Sequence, residues 1–593
     1  MSGRLWYAPD RRRREATGSN RQLILLLVIV LVVAGVPALT RLAGTLGGAT
    51  GAANPWAFVA GLALGNSTWT SASTIWLAAL AALLVGGVIA AVWAVVGLRG
   101  RRNIALVRID KKAESMASAR ELKPLLPKGS AQDAARLDCT HAGMGNPIGT
   151  LVVTNQPLRS SYEWVQVWLM GPRAGKTSCV VARQIVENRC PVLATSNKRD
   201  VVDLTRGPRS NLGRCWVFDP QGLIGEKQDF YWDMLGFIRA YPDRMMERAD
   251  ELAALCNSSV SGDDGRPDPY FEPEGQAYLA ALLLAATVAG KPVDVVWSWL
   301  MNPADLTPMH ALQLGGFSIA ADAVQGVAGL SEEQRNGIVG TARKMVPWLR
   351  SPAVVRWVTP QSGMAAFDPH TFIRSTQTIY PISREGGGSA RAVTAALTVA
   401  ILQAGEHLAG RSPGGRLPTP LIAVLDEAAN VVRWKDLPDM YSHFGSKGLV
   451  LSTFLQSWAQ GVEAWGERGM LKLWGAANVR VAGAGLAEDA FLGQLARLIG
   501  QHDINTGSSS ESSNSGGLWG SGSTSHEVRR EEILEVSELA SMPTGRAVML
   551  TSGARAALIQ LDHWSAMPYS DQIAASKKHY EGALVDAAGR DLR

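Results

Sequence analysis

Residues 171–178 read GPRAGKTS and stand where the apolar stretch 165–170 (VQVWLM) gives way to a helix-compatible run at 179–186. Gly171, Pro172, Arg173, Ala174, Gly175, Lys176, Thr177 and Ser178 have the types and spacing of a phosphate-binding loop. Its turn points backbone N–H groups at phosphate oxygens, and the positive end of the following helix favours their charge. Lys176 supplies an ammonium and Thr177 a Mg²⁺-binding hydroxyl. The consensus also asks for glycine at position 170, where this chain has Met170. Downstream, the apolar run 420–425 (PLIAVL) ends in Asp426 and Glu427. Such a run reads as a central strand of a parallel sheet with carboxylates at its C-terminal edge, where α/β folds bind ligands. Asp426 is then expected to hold the Mg²⁺ shell and Glu427 to polarise an attacking water. A third run, 449–455 (LVLSTFL), ends in Gln456, whose amide is placed to contact the γ-phosphate or that water. Singly, each piece also fits a Gly-rich turn or a strand that happens to end in acids. The three in this order point to one site for ATP and Mg²⁺.

The elements that must position these residues are spread over 593 residues, a length that predicts several domains. The formal net charge is +6. Residues 1–112 carry 13 Lys/Arg against Asp10, Glu15 and Asp110, so the remaining 481 residues are slightly acidic. Bulk charge therefore predicts no nucleic-acid contact by the large domain, and any such contact must come from local patches. The five cysteines show neither a CxxC pair nor metal-ligand spacing with His and read as reduced thiols.

Two uncharged apolar segments, at about 23–39 and 75–98, predict transmembrane helices. The first is short and contains Pro37, so a cleaved signal peptide is its alternative. Arg and Lys crowd both outer flanks, whereas 41–74 holds only Arg41. The positive-inside rule then puts both the N-terminus and the ATPase domain in the cytoplasm of a multi-pass inner (plasma) membrane protein. The expected organisation is a basic tail at 1–21, a membrane domain at 22–102 with an extracytoplasmic loop, and a linker at 103–147. A nucleotide-binding domain follows in two parts, 148–245 and 376–565, split by an all-α insert at 246–375. Within the second part the Gly/Ser-rich stretch 507–525 reads as a mobile loop. A C-terminal tail at 566–593 completes the chain. Strand-like runs at 191–195 and 215–219 and helix-patterned runs at 275–289, 293–301, 331–349 and 390–410 support that division.

In order and wording, the chain resembles the TraG/TraD-like coupling proteins of type IV secretion and conjugation systems over roughly residues 149–565. The resemblance rests on GPRAGKTS at 171–178, TSNKRDVVDLT at 195–205, VFDPQG at 217–222, LDEAAN at 425–430 and LSTFLQS at 451–457, with two membrane segments ahead of them. It implies an α/β, RecA-like P-loop NTPase domain with an inserted all-α subdomain, preceded by two transmembrane helices. It also implies nucleotide binding by Gly171, Gly175, Lys176 and Thr177, Mg²⁺ at Asp426, a catalytic carboxylate at Glu427 and a sensor at Gln456. The family's trans-acting arginine has no counterpart before the sensor strand, where Lys447 is the nearest cation and Arg384 and Arg391 are further candidates.

The function this reading predicts is a membrane-anchored ring ATPase, hexameric as in the family, that moves DNA with relaxase or relaxosome proteins into a type IV secretion channel. Arg343 and Lys344 in the insert are candidate DNA contacts. An FtsK-like duplex DNA translocase or a protein-export ATPase keeps the motor and changes the cargo. A nucleotide-switched recruitment platform with little hydrolysis is the alternative of another class, against which Glu427 beside Asp426 argues.

Overall fold

The computed structural model describes residues 35–100, 108–260, 268–384, 390–510 and 523–582. The chain divides into two compact units, Met1–Leu106 and Val107–Arg593. The expected membrane segment at 23–39 lies outside the described residues up to position 34.

In the first unit the helix Val36–Leu46 takes in the end of the first expected membrane segment and the start of the expected loop, and a second short helix, Pro55–Ala63, lies within that loop. Asn54 caps the second, accepting from the N–H groups of Trp56 and Ala57, and Pro55 occupies its first turn. Phe58 is fully buried against Gly44, and the Arg41 guanidinium lies 4.7 Å over its ring. The expected second segment, 75–98, falls inside one helix, Ser71–Gly100, of 30 residues. At about 1.5 Å per residue it is about 45 Å long, enough to cross ~30 Å of hydrocarbon. Ile75 and Leu83 on it are exposed. Among the described residues, the helix that meets the length and hydropathy of a membrane span is Arg391–Gly410, and it is mostly buried in the second unit.

The second unit is built on an 11-stranded sheet. In chain order the strands are β1 (Asn146–Leu151), β2 (Gln156–Ser160), β3 (Gln166–Leu169), β4 (Val192–Thr195), β5 (Cys215–Phe218), β6 (Phe230–Tyr231), β7 (Ala365–Ala366), β8 (Thr378–Pro381), β9 (Leu421–Leu425), β10 (Leu449–Leu455), β11 (Val479–Gly483), β12 (Gln501–Ser510), β13 (Ser523–Glu532), β14 (Arg546–Thr551) and β15 (Ala557–Gln560). The main sheet runs β2-β1-β15-β14-β11-β3-β10-β9-β4-β8-β5. From β11 to β5 every neighbouring pair is parallel. From β11 to β2 every pair is antiparallel. The parallel strands are short apolar runs buried along their length, as a sheet covered by helices on both faces requires. Strand β10 lies between β3 and β9, so the ends of the three motif strands stand side by side at about 4.8 Å spacing.

Between β5 and β8 the chain leaves the sheet. The two-stranded pair β6–β7 closes the neck of this excursion. Around it Phe230 packs edge-to-face against Trp216 and Trp357, with ring centroids 4.9 and 5.3 Å away. Beyond the neck come the helices Met245–Val260, Phe271–Val288, Val295–Met301, Thr307–Leu314, Ser318–Gly329 and Glu332–Met345. Helix Arg391–Gly410, one of the helix-patterned runs in the same gap of sequence, instead follows β8 and packs with the sheet core.

Three stretches differ from expectation. Residues 108–136, read as linker, fold into short helices docked on the antiparallel edge, with Ile109, Ala113, Met116, Leu122 and Leu125 buried. Asp110 and Arg546 on β14 form a buried two-pronged ion pair at 2.7 and 2.8 Å. The Gly/Ser-rich stretch is flanked and partly occupied by a long hairpin, β12 with β13, in continuous register from Gln501↔Glu532 to Ser510↔Ser523. Its tip lies outside the described residues. The C-terminal tail begins with a helix, Ser570–Gly582, docked on the helix Asp200–Ser210.

Candidate nucleotide-binding site

Strand β3 hands the chain to the loop through Met170, which is buried, has an ordinary backbone conformation and donates its N–H to Leu455 O at 3.0 Å. The consensus glycine is thus not required here by backbone geometry. The Met170 side chain packs over Gly483 on β11, where an added Cβ would lie 2.9 Å from Met170 Cγ. Gly171 is different, since an added Cβ would meet Gly485 O at 2.1 Å. The loop then turns through Arg173 (φ 59°) and Gly175 (φ 86°), both left-handed. Lys176, Thr177 and Ser178 open a π-helical turn, Lys176–Val181, that continues as the helix Ala182–Glu187.

At the end of β9, Glu427 adopts φ 55°, a conformation costly for a side chain longer than Asn or Asp. Its carbonyl is held by the N–H groups of Asn430 and Val431 at 2.8 and 2.9 Å. The turn delivers both carboxylates to Lys176, whose Nζ lies 2.5 Å from Glu427 Oε1 and 3.0 Å from Asp426 Oδ1. From β10, Gln456 Nε2 donates to Glu427 Oε1 at 2.8 Å, and Gln456 N–H donates to Gln460 Oε1 at 2.8 Å. Lys176, Glu427, Asp426 and Gln456 are therefore one connected cluster. Its four members come from the segments that follow three adjacent strands, β3, β9 and β10.

Burial sets the charges. Asp426 is nearly inaccessible, and burial pushes its carboxyl up to about 6 despite Lys176. Burial also acts on Glu427, but the Lys176 charge and hydrogen bonds from Lys176, Gln456 and Gln460 outweigh it and hold that carboxyl below its ordinary value. Burial disfavours the Lys176 ammonium, yet the two carboxylates together keep it above its ordinary value. The shared proton thus belongs first to Asp426. Asp426 Oδ1 is buried, has an ionic neighbour in Lys176 and lacks an aligned hydrogen bond. An acidic oxygen so placed, with the Thr177 residue lining the cavity above it, fits a hard divalent cation. Among the described residues no three His, Cys, Asp or Glu cluster to hold a metal alone, so these two residues suit Mg²⁺ shared with phosphate oxygens.

A cavity of about 620 Å³ opens over the cluster. Loop residues from Gly171 to Ser178 line it together with Glu427 and Gln456. Lys198, Asp200, His563, Trp564, Lys577 and Glu581 line it too, and sequence reasoning assigned none of these a role. Lys198 and Asp200 fall in the 195–205 segment that carries part of the resemblance. The last four lie around the tail, where single polar and aromatic residues give no pattern. Of the candidate trans-acting cations, Lys447 is ion-paired with Glu406 at the N-terminal end of β10, away from the motif ends. Arg391 is nine-tenths buried and donates to Ser259 O at 3.2 Å. Arg384 is exposed just past the C-terminal end of β8. Lys344 is exposed on the insert helix Glu332–Met345 and Arg343 half-buried there.

Residues 420–544 match the family described as the TraM recognition site of TraD and TraG. No curated protein matches the sequence. Among solved structures, the unbound monoclinic form of the bacterial conjugative coupling protein TrwBΔN70 superposes with a TM-score of 0.51 at 15% identity, over 72% of this chain and 91% of that one. The plasmid coupling protein TrwB in complex with ADP and Mg²⁺ does so with a TM-score of 0.50 at 14% identity, over 72% and 92%. At such identities the likeness shows a shared P-loop NTPase fold with a mixed α/β architecture. The match across β9, β10 and the hairpin falls within that fold, and the two findings together support a TraG/TraD-like coupling protein.

Proposed function

We propose that the chain is a membrane-anchored ATPase that works as a homo-hexameric ring and couples ATP hydrolysis to passing DNA, with its attached relaxosome proteins, into a type IV secretion channel. The observation that carries the motor is the Lys176–Glu427–Gln456 cluster with Asp426 beneath it. A platform that only binds nucleotide needs the loop and Asp426. It does not need a second carboxylate held in a strained turn and wired to an amide on the intervening strand.

The steps follow from the contacts. Triphosphate entering the cavity competes with Glu427 for the Lys176 ammonium, because both are anions and Lys176 has one head group. Glu427 released from Lys176 keeps its bond to Gln456 and becomes free to accept a proton from a water in line with the γ-phosphate. Thr177 and Asp426 would hold Mg²⁺ together with the phosphates, and the ion would supply positive charge against that developing on the leaving oxygens. Loss of the γ-phosphate returns Glu427 to Lys176 and pulls on Gln456. Gln456 begins the segment leading into the helix Trp458–Ala476, whose first N–H groups, Trp458 and Ala459, are held by Glu488 at 2.8 and 2.7 Å. That is a path from hydrolysis to movement.

Membrane anchoring is supported by the 30-residue apolar helix Ser71–Gly100 and by basic flanks on either side of the two apolar segments. The role by which the matched family is described, TraM recognition, supports a relaxosome partner at 420–544. TrwB complexes with ADP and Mg²⁺ support the same cofactors here. The test is steady-state ATP hydrolysis by the detergent-purified chain with and without single-stranded and duplex DNA. DNA-stimulated turnover that disappears in Lys176→Ala is the expected result. Hydrolysis indifferent to both DNAs would move the cargo to protein, and a chain that binds ATP without turnover would leave the platform.

A further inference from the structure

One wall of the nucleotide cavity is built by a part of the chain that contains none of the motifs. The helix Ser570–Gly582 is clamped onto the helix Asp200–Ser210, which follows β4 at the motif edge of the sheet. Gly207 allows the two helices to meet, since an added Cβ there would lie 2.7 Å from Ser576 Cβ. Ser576 Oγ donates to Asp203 O at 2.6 Å and accepts from Gly207 N–H at 2.9 Å. Arg199 Nη2 donates to Tyr580 O at 2.8 Å, and the Arg206 guanidinium lies 4.7 Å over the Tyr580 ring. Just before the helix, Tyr569 Oη donates to Glu187 Oε1 at 2.7 Å, on the helix that continues the phosphate loop. The segment is therefore fixed from both ends.

What it presents to the cavity is a pair of rings. Trp564 and His563 are the aromatic residues among those lining the cavity, with centroids 5.1 Å apart and planes tilted by 35°. Trp564 is half-buried, on the short turn Trp564–Ala566. His563 Nδ1 accepts from Ser565 N–H at 3.2 Å, which caps that turn and leaves the ring proton on Nε2. Burial and then the Lys577 charge lower its pKa from the ordinary value, so at neutral pH the ring is uncharged. Apart from Leu204, the rest of the lining is charged or belongs to the loop and cluster that take the phosphates. A triphosphate held there leaves its nucleoside to be received by other residues of the cavity.

We propose that Trp564 and His563 form the nucleobase subsite of this cavity, with the Trp564 face stacked on a purine and His563 Nε2–H donating to a ring nitrogen. The inference rests on the reading of the cavity as a nucleoside triphosphate site. Stacking is tolerant of base identity and every purine offers ring-nitrogen acceptors, so ATP and GTP bind within a few-fold of one another.

The test compares binding of ATP and of inorganic tripolyphosphate, which has the charge but no base, to the full chain in detergent by calorimetry. Trp564→Ala is expected to weaken ATP by about fivefold to a hundredfold, the range of base–aromatic stacking, and to leave tripolyphosphate within about twofold. Trp564→Phe keeps a stacking face and recovers most of the ATP affinity. His563→Ala, at an exposed position, weakens ATP by about twofold to tenfold, the worth of one hydrogen bond, and again spares tripolyphosphate. Unchanged ATP binding in both alanine variants overturns the proposal. So does a parallel loss of tripolyphosphate, which would mean that the rings only prop the loop. Lys176→Ala lowers both ligands if the cavity is the triphosphate site. Wild-type protein that binds neither ligand removes that reading and the subsite with it.

Discussion

Gln456 Nε2 donates to Glu427 Oε1 at 2.8 Å across the C-terminal ends of β10 and β9, two strands paired in parallel from Leu449↔Leu421 to Thr453↔Leu425. The same oxygen receives Lys176 Nζ at 2.5 Å. One carboxylate oxygen thus joins the residue that holds the phosphates to the residue that leads into the helix Trp458–Ala476.

Glu427→Gln keeps the shape and removes the base. ATP hydrolysis is expected to fall by about 10²-fold to 10⁴-fold while ATP affinity stays within a few-fold, because proton transfer is lost and the phosphate contacts are not. Gln456→Ala is expected to lower DNA-stimulated turnover more than basal turnover, since it cuts the link between hydrolysis and the helix. Single-turnover and steady-state assays on the two variants separate these effects, and equal losses in both modes for Gln456→Ala would show that it acts only on the water.

The pH dependence follows from Asp426. Its folded-state value of about 6 lies above the ordinary 3.8 because burial disfavours the charge. Above about pH 6 the carboxylate is ionised and able to hold Mg²⁺, and below it the proton displaces the metal. Mg²⁺-dependent ATP affinity is therefore expected to drop by up to tenfold per unit as pH falls below about 6. Asp426→Asn, neutral throughout, is expected to bind Mg·ATP weakly with a flat profile between pH 5 and pH 8. A wild-type profile that is flat over that range would show that another group holds the metal.

The site was legible because each of its parts ends a short apolar run. Strands β3, β9 and β10 announce themselves as VQVWLM, LIAVL and LVLSTFL, and the residues after them carry the chemistry. Of the antiparallel half, only a short strand near 149–153, which is β1, was legible. Arg480 interrupts β11 and Arg546 opens β14, and cross-strand pairing sets both segments in the sheet. Strand β8 is Thr-Ile-Tyr-Pro, too short and too polar at its start to stand out in the long gap before the carboxylates. The hairpin β12–β13 reads as loop because its Gly and Ser residues have low strand propensity, and backbone pairing between 501 and 532 overrides that. The stretch 108–136 has no periodicity to betray its docking, which depends on partners more than 400 positions away. The tail hides its place in the nucleotide cavity for the same reason.

The Asp110–Arg546 pair has both side chains nearly inaccessible and ties the start of the second unit to β14. Lys112 to Glu538, at 2.5 Å, adds a second tie nearby. Removing one member of a buried pair strands the other charge, which costs about 3–5 kcal/mol. Asp110→Ala is expected to lower the thermal midpoint clearly and to make 108–125 sensitive to limited proteolysis. The double variant Asp110→Ala/Arg546→Met is expected to recover part of that loss. A double variant no more stable than Asp110→Ala would mean that Asp110 acts through its other contacts.

The departure from the loop consensus at position 170 separates two kinds of glycine requirement. Met170 has an ordinary φ and fills space over Gly483, so Met170→Gly opens a cavity where a buried side chain was. Large-to-small changes of this kind cost about 2–5 kcal/mol, and the glycine adds backbone freedom to the unfolded chain. The variant is expected to be less stable yet to bind ATP almost normally while folded. Gly171→Ala is the converse. Its Cβ would stand 2.1 Å from the Gly485 carbonyl, and Gly171 N–H is held by Ala484 O at 2.9 Å, so the loop must shift to admit one methyl group. ATP affinity is expected to fall at least tenfold with a smaller change in thermal midpoint than in Met170→Gly. If instead Met170→Gly lost ATP binding with its midpoint unchanged, the side chain at 170 would be shaping the phosphate loop rather than the core beneath it.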